Sequence, residues 1–269
     1  MKTTLRAVLD AAERRGKLNL RTEEIAQSLP GVSPEALRQA LQRQKRAGRL
    51  VRASRGSNHW VIVPIQDAMD GAPPVETWLD AYIRKTLHLP YYVGMLSAAA
   101  AYGVSPQAIM VTQVMVPKAR RTLTVGQHEL HFFEQYRVDE MPVTWHETSE
   151  GRYRVSTPEL TALDIVARHP RLGGIARVYE VVQGLLPKMT PHDMTVALNA
   201  AHEVPTAQRL GTLFSMMGEI TLQEAVKSWL TDKRTRRIPL ELGKAQFQLD
   251  VRISEFKVVV PLSFLPANT

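Results

Sequence analysis

The sequence predicts an α+β fold, in which a small basic N-terminal domain precedes a larger mixed α/β domain. Helical apolar periodicity and strand-like alternation both recur along the 269 residues, and this length is enough for two domains of ordinary size. The charge is unevenly distributed, because residues 1–64 hold 13 of the 34 Lys and Arg but only 5 of the 26 Asp and Glu. The net charge of +8 therefore lies in the first quarter of the chain. Such a concentration of positive charge indicates a polyanionic partner.

Three helices are predicted within the first 47 residues. Apolar residues recur at helical spacing over residues 5–12, which predicts the first helix. Thr22 can cap a short second helix, Glu23–Leu29. Ser33 is a favourable N-cap for the third helix, and Pro34 occupies its first position, where no backbone N–H is lost.

The third helix has two chemically different faces. Its narrow, mostly apolar stripe consists of Leu37, Ala40, Leu41, Gln44 and Ala47. The opposite face carries Glu35, Arg38, Gln39, Gln42 and Arg46, with Arg43 at its flank. Arg and Gln side chains pair bidentately with guanine and adenine edges, and Arg also clamps phosphates. This helix is therefore a candidate recognition helix.

Two short strands, Leu50–Ala53 and His59–Val63, are predicted to follow around a basic turn. Three helices followed by a strand pair are typical of a winged helix-turn-helix, which we place at residues 1–64. The alternative is a solvated amphipathic helix followed by an ordinary hairpin. The order of the elements, and the lack of acidic residues between Glu35 and Asp67, favour DNA contact. The candidate DNA-binding residues are Ser33, Arg38, Gln39, Gln42, Arg43, Arg46, Arg52, Ser54 and Arg55.

Residues 65–75 are predicted to be a linker, because Gly71, Pro73 and Pro74 interrupt any periodic structure. The remaining residues, 76–269, are predicted to form a mixed domain that folds by itself. Helices are expected at 76–89, 91–102, 156–169, 175–185, 191–202, 207–216 and 221–230. Strands are expected at 109–116, 123–125, 129–133, 143–146, 153–155, 247–253 and 256–262.

Enzyme motifs are scarce in this sequence. The chain has no Cys, which excludes thiolate metal sites and cysteine nucleophiles, and its eight His show no metal-ligand spacing. The sharpest candidate is Asp250 with Glu255 and Lys257, similar to the set with which many nucleases hold Mg²⁺ and orient a water. Such a site needs Glu255 and Lys257 on one face of a strand, whereas the apolar alternation places Glu255 in a turn. We therefore expect no enzyme and no bound cofactor or metal.

The N-terminal residues lack the apolar core of a signal peptide. The longest apolar run, Tyr91–Tyr102, is shorter than the roughly 20 residues that cross a bilayer. We expect a cytoplasmic protein without a membrane partner.

Several motifs of the larger domain resemble those of a known family. They are Tyr91-Tyr92-Val93-Gly94, Leu96-Ser97-Ala98-Ala99, Tyr102-Gly103, Pro106-Gln107, Gln113-Val114-Met115-Val116 leading into Lys118–Arg121, Ser156-Thr157-Pro158-Glu159 and Ala162-Leu163-Asp164. Behind a winged helix-turn-helix, they are similar to the AbiEi antitoxins of type IV (AbiE) toxin–antitoxin systems. The resemblance covers about residues 1–185, and we find no matching motif beyond Met189.

This resemblance implies an antitoxin that represses its own operon by binding inverted repeats in double-stranded promoter DNA. It also implies a functional partner, a co-transcribed toxin of nucleotidyltransferase fold, which such antitoxins counter in phage defence by abortive infection, usually without a stable complex. The family has no known catalytic residues to carry over. We place the toxin-opposing activity in residues 76–269.

Two basic runs are candidate surfaces for that activity. The first is the loop with Lys118, Arg120 and Arg121, and the second is Lys233–Arg237. The alternative for either run is a solvated loop. Two other functions remain compatible with the sequence, namely a DNA-targeted Mg²⁺-dependent nuclease and a transcriptional regulator with a small-molecule sensor domain.

Overall fold

The computed structural model describes residues 4–104, 111–148, 151–241 and 251–264. Helices and strands are mixed along the chain, so the predicted α+β class is confirmed. The residues cluster into two compact units. The first unit comprises Met1–Tyr92, Met110–Val138 and Trp145–Arg154, and the second comprises Val93–Ile109, Asp139–Thr144 and Val155–Thr269. The division predicted from the sequence, with a linker at 65–75, is a different one and stays a prediction.

The N-terminal part of the first unit is a winged helix-turn-helix. Its elements are α1 (Leu5–Arg14), β1 (Asn19–Arg21), α2 (Thr22–Gln27), α3 (Pro34–Arg46), β2 (Leu50–Arg52) and β3 (His59–Ile62). The three strands form an antiparallel sheet in the order β1-β3-β2. The sequence did not predict β1, because three residues are too few to show an alternating pattern. The three predicted helices and the strand pair are all present.

The core of this region lies beneath the three helices. Leu9, Ile25, Leu41 and Trp60 are at most 2% exposed and belong to one buried cluster. The indole Nε1 of Trp60 donates a hydrogen bond to the hydroxyl oxygen of Thr22 at 3.0 Å. The prediction that Thr22 caps α2 is therefore wrong: its hydroxyl faces Trp60 and the Asn58 carbonyl, and α2 has no side-chain cap.

The chain after β3 contains short, irregular helices. Ile65–Asp67 and Val75–Thr77 are 3₁₀ helices, and Ala81–Thr86 is a π-helix. The regular α-helix predicted at 76–89 is therefore wrong. The Leu87 N–H donates to the Tyr82 carbonyl, five residues back, so the backbone is wound more widely than in an α-helix.

The segment predicted as a linker is fixed to the turn at residues 126–127. The Gln127 N–H donates to the Asp70 carbonyl at 2.7 Å, and its side-chain amide donates to the Met69 carbonyl at 3.1 Å. A Cβ atom at Gly126 would lie 2.3 Å from the Asp70 carbonyl oxygen, so only glycine permits this approach. These contacts attach residues 69–72 to strands that lie some 50 residues further along the chain.

A six-stranded sheet follows. Its strands are β4 (Tyr92–Val93), β5 (Val111–Val116), β6 (Leu123–Val125), β7 (His128–Glu134), β8 (Val143–Thr148) and β9 (Gly151–Ser156), in the order β6-β7-β5-β4-β9-β8. Strand β7 pairs in parallel with β5 and antiparallel with β6. Five of these strands match predicted ones within a few residues. The predicted helix 91–102 begins late, because Tyr92 and Val93 form β4.

The second unit is mostly helical. Its helices are α4 (Met95–Ala101), α5 (Pro158–Ala167), α6 (Ile175–Leu185), α7 (Pro191–Ala201), α8 (Val204–Met217) and α9 (Ile220–Leu230). A small sheet, in the order β10-β12-β11, contains β10 (Ile238–Pro239), β11 (Val251–Ile253) and β12 (Val258–Pro261). In the described ranges, no helix has both the length and the apolar character needed to cross a membrane.

Buried polar side chains of α8 hold the last sheet of the second unit. Gln208 Nε2 donates to the carbonyl oxygens of Arg236 and Phe256, at 2.8 and 2.6 Å. Arg209 Nε donates to the Pro239 carbonyl at 3.1 Å. These bonds satisfy backbone carbonyls at the start of β10 and at the turn before β12, and they fix both segments against the helix.

Candidate nucleic-acid interface

The burial of one face of α3 determines which of its side chains are exposed. The Ser33 hydroxyl accepts from the Ala36 N–H at 3.2 Å, so this predicted DNA contact also serves as the N-cap. Leu37 and Leu41 are 5% and 2% exposed and belong to the winged-helix core. The side chains opposite this stripe are therefore presented to solvent. Arg38, Gln39, Arg43 and Arg46 are exposed, and Gln42 is half-buried.

Glu35 holds two of the predicted base-reading side chains. Its Oε2 lies 2.8 Å from Arg38 Nη2, and its Oε1 accepts from Gln39 Nε2 at 3.1 Å. These two hydrogen bonds, first that from Arg38, hold the pKa of Glu35 below its usual value. In the free protein, Arg38 and Gln39 are thus engaged within α3 itself. The i, i+3 and i, i+4 spacing was the sequence signal for these contacts.

Three acidic residues of the winged helix pair with framework cations. Arg49 Nη2 lies 2.9 Å from carboxylate oxygens of both Asp10 and Glu13, which ties the end of α3 to α1. Glu24 pairs with Lys17 at 2.9 Å and with Arg21 at 3.5 Å. Within the described ranges, this leaves four cations of α3 and the wing exposed and without an acidic partner: Arg43, Lys45, Arg46 and Arg55.

The predicted DNA-contact residues of the wing (residues 50–62) differ in how accessible they are. The Arg52 guanidinium stacks over the Trp60 ring, 4.4 Å from its centroid, and its buried Nε has no hydrogen-bond partner. Ser54 is part of the turn, since its carbonyl accepts from the Ser57 N–H at 3.1 Å. Arg55 is exposed at the tip. Of the three predicted residues, Arg55 is therefore the one most available to a polyanion.

A basic loop lies beside the wing tip. We define it as Lys118, Ala119, Arg120 and Arg121, between β5 and β6, and all four residues are exposed. Ser54 and Arg55 line one cleft of about 690 Å³ together with this loop. None of the described residues that line the cleft is acidic. Four cations thus share a single opening in the first unit. Sequence reasoning missed this proximity, because no local pattern connects residues more than 60 positions apart.

His59 is a buried polar residue that the sequence did not single out. Its Nδ1 lies 2.9 Å from Thr86 Oγ1 and its Nε2 lies 3.0 Å from Asn19 Oδ1. Burial lowers the pKa of His59 to about 4, so the ring is neutral at pH 7. The imidazole therefore connects β3 to β1 and to the π-helix without carrying charge.

The structure describes two of the three residues of the nuclease candidate, Glu255 and Lys257. Asp250 lies outside the described residues. Glu255 is in the turn before β12, as predicted, and its Oε2 lies 3.2 Å from Lys227 Nζ. Lys257 Nζ instead donates to Thr235 Oγ1 at 2.8 Å. Across the described part of the chain, no group of three His, Asp or Glu is placed to hold a metal ion.

Residues 92–216 match the family model of the AbiEi antitoxin C-terminal domain. This match extends about 30 residues beyond the segment in which sequence motifs were recognised, and it begins after the winged helix. No curated protein matches the chain.

Two solved structures align with the chain. The crystal structure of the RV2827C protein from Mycobacterium tuberculosis has a TM-score of 0.65 at 15% identity, and the alignment covers 94% of this chain and 89% of that one. An antigenic nucleotidyltransferase-like protein from Paracoccidioides brasiliensis has a TM-score of 0.36 at 14% identity, over 57% of this chain and 90% of that one. The first likeness shows that the fold is shared over nearly the whole chain.

Proposed function

Since the chain carries an AbiEi antitoxin C-terminal domain at residues 92–216, we propose that it is the antitoxin of a type IV toxin–antitoxin pair and also represses its own operon. Its functional partner is then a nucleotidyltransferase-fold toxin, and a stable complex between the two proteins is not required. Its DNA target is double-stranded promoter DNA with inverted repeats. The pair would serve phage defence by abortive infection.

One observation carries the DNA-binding part of this proposal. Four exposed cations without an acidic partner among the described residues lie on α3 and at the wing tip, where a winged helix meets DNA: Arg43, Lys45, Arg46 and Arg55. The framework cations Lys17, Arg21 and Arg49 are paired with nearby carboxylates. A group of unpaired cations on α3 and at the wing tip favours contact with a polyanion.

The basic loop is better assigned to DNA than to the toxin. Lys118, Arg120 and Arg121 line the same cleft as Arg55, and no acidic residue among those described lines it. Cations that share an opening with a wing tip are placed to neutralise phosphates of the same duplex. We therefore propose that this loop, which the sequence suggested as an antitoxin surface, supplies additional backbone contacts.

The experiment separates the two activities. The full chain is expressed with the product of its neighbouring toxin gene and, separately, with a reporter driven by its own promoter. We expect the chain to prevent poisoning and to repress the reporter. Poisoned cells in the presence of folded protein would contradict the antitoxin role, and an unrepressed reporter would contradict autoregulation.

A triple variant tests the basic loop. Lys118→Ala/Arg120→Ala/Arg121→Ala should weaken repression and leave toxin neutralisation unchanged. The control is an exposed pair that does not line the cleft, Arg14→Ala/Lys188→Ala, which should retain both activities. Loss of toxin neutralisation with normal repression would mean that the loop acts against the toxin and not on DNA.

A separate experiment tests the nuclease alternative. Incubating promoter DNA with the protein and Mg²⁺ should leave the DNA intact, whereas cleavage would favour a nuclease.

A further inference from the structure

A second cationic cavity lies in the first unit, between the α1–β1 turn, β1 and the π-helix. Its volume is about 380 Å³, which is within the range of small-molecule sites. Arg15 and Lys17 from the turn, Arg21 from β1 and Lys85 from the π-helix all line it. We call this cavity the α1–β1 cleft. Its residues differ from those of the cleft that the wing tip shares with the basic loop.

The charges of the α1–β1 cleft are strongly unbalanced. Glu24 is the acidic residue among the described lining residues, and it pairs with Lys17 and Arg21. Arg15 and Lys85 form no ion pair or side-chain hydrogen bond with any described residue. Four cations against one carboxylate give the lining a formal charge of +3. Cations brought to one cavity from three segments give it a positive potential that attracts an anion.

The wall of this cleft is held in place by a polar network. His59, Thr86 and Asn19 all line it, and the two ring nitrogens of His59 bond to the other two side chains. The π-helix that carries Lys85 also carries Thr86, so these bonds fix the segment that presents the cation. Short π-helical segments occur frequently at functional sites, where the wide turn redirects side chains. The cleft is therefore preorganised.

We propose that the α1–β1 cleft binds a small polyphosphate anion, such as the phosphate chain of a nucleoside triphosphate. Its formal charge of +3 is complementary to such a chain, and Lys and Arg are the side chains that bind phosphate oxygens with charge-assisted hydrogen bonds. This site goes beyond the proposed function, because it gives the winged-helix unit a small-molecule ligand of its own.

Titration calorimetry on the full chain tests the proposal with ATP and inorganic pyrophosphate as probes and adenosine as the uncharged comparison. Saturable binding of ATP or pyrophosphate, without binding of adenosine, is expected. Arg15→Ala/Lys85→Ala should weaken it about tenfold or more, because it removes the two cations without partners. Glu24→Gln should strengthen it, since it removes the opposing charge.

The control variant is Arg14→Ala/Lys188→Ala, which removes the same charge from exposed positions outside the cleft and should bind as the parent does. Absence of saturable binding in the parent would overturn the proposal. Equal weakening in both double variants would also overturn it, because the attraction would then be diffuse. If Arg15→Ala/Lys85→Ala weakens promoter binding while neither probe binds the parent, the cleft contacts DNA phosphates instead. Promoter binding by the parent is measured separately, so failure of this site is distinguishable from failure of the proposed function.

Discussion

At the scale of single residues, Glu35 sets how two side chains of α3 are held in the free protein. It accepts hydrogen bonds from Arg38 and Gln39, and all three side chains are exposed. A phosphate or a base edge has to compete with this carboxylate for the same donors. Glu35 also places a negative charge on a face that would approach a polyanion. Both effects would oppose DNA binding, and the competition for Arg38 would matter less on a sequence that offers Arg38 good base contacts.

The variant Glu35→Gln should therefore bind DNA more tightly. We expect a gain of roughly two- to fivefold, because exposed ion pairs of this kind are weak and are screened by salt. The gain should be larger on random DNA than on the promoter, which reduces discrimination. Fluorescence anisotropy with both DNAs measures it. The control is the isosteric variant Glu13→Gln on α1, which should gain less DNA affinity. Weaker DNA binding by Glu35→Gln would contradict the prediction, because it would mean that Glu35 itself accepts a hydrogen bond from a base.

His59 should make the stability of the winged helix depend on pH. Its pKa is lowered to about 4, mainly by burial; the charge of Glu24 opposes this shift and that of Arg21 adds to it. The unfolded chain has the usual value near 6.5. Between these values the unfolded state binds more protons, so stability is complete above about pH 6.5 and falls as the pH drops towards 4. The loss is on the order of 3 kcal/mol.

Urea unfolding of the parent and of His59→Gln at several pH values measures this dependence. Gln cannot titrate, and it retains hydrogen-bonding groups for Thr86 and Asn19. The variant should lose less stability than the parent between pH 7 and 4.5. Below about pH 4.5 both proteins should weaken further, because Glu23, Glu24 and Glu35 have lowered pKa values. Identical pH profiles would contradict the buried, neutral histidine.

The sequence predicted those residues whose environment is local. Ser33 and the exposed face of α3 follow from capping and periodicity within one helix. The stacking of Arg52 on Trp60 and the burial of His59 against Thr86 did not follow, because each depends on a partner brought near by the fold. Arg52 was predicted as an exposed contact, and its side chain is instead packed on the sheet.

At the scale of elements, the wing presents one exposed charge, Arg55, at the tip of a hairpin that is held in place. The sheet pairing and the Arg52–Trp60 stack hold the strands, and Gly56, with φ of +80°, allows the tight turn at the tip. Arg55 projects from this turn without a partner among the described residues. It is therefore positioned to contact a phosphate without reading a base.

The variant Arg55→Ala should flatten the salt dependence of DNA binding. Each phosphate contact contributes about −0.9 to the slope of log K against log salt, so losing one contact should reduce the slope by nearly one unit. Sequence preference should change little, since phosphates carry no sequence information. The control Arg14→Ala, at the end of α1, should keep the parent slope. An unchanged slope in Arg55→Ala would mean that this side chain faces solvent in the complex.

Element prediction succeeded where capping and periodicity agree. Helix α3 begins directly after its predicted cap, and α6 has its predicted bounds. The π-helix at 81–86 and the two-residue β4 were not predicted. Their backbone geometry depends on hydrogen bonds to residues distant in sequence or five positions back, and the apolar pattern there fits a regular helix equally well.

At the scale of the whole molecule, charge and compact structure divide the chain at different places. The net charge divides it near residue 64, whereas the first compact unit also includes Met110–Val138. The basic loop belongs to this unit, which is why it shares a cleft with the wing tip. Sequence reasoning kept the loop and the wing apart because it assigned domains by position along the chain.

Two C-terminal fragments test where the boundary lies. Fragment 65–269 keeps the segment whose Met69 and Asp70 carbonyls accept from Gln127, and fragment 76–269 removes it. We expect the longer fragment to melt roughly 5 °C higher, because its turn at Gly126 retains its packing partner. Differential scanning calorimetry measures both. Equal melting temperatures would support the linker interpretation of residues 65–75.

DNase footprinting of the chain's own promoter tests the central claim most directly, namely that the first unit binds operator DNA through α3, the wing tip and the basic loop. The full chain should protect inverted repeats at physiological salt, and Arg43→Ala/Arg46→Ala/Arg55→Ala should lose this protection while Arg14→Ala/Lys188→Ala retains it. Protection should also weaken steeply as salt is raised. No protection by the folded parent, or equal protection by the triple variant, would contradict the account.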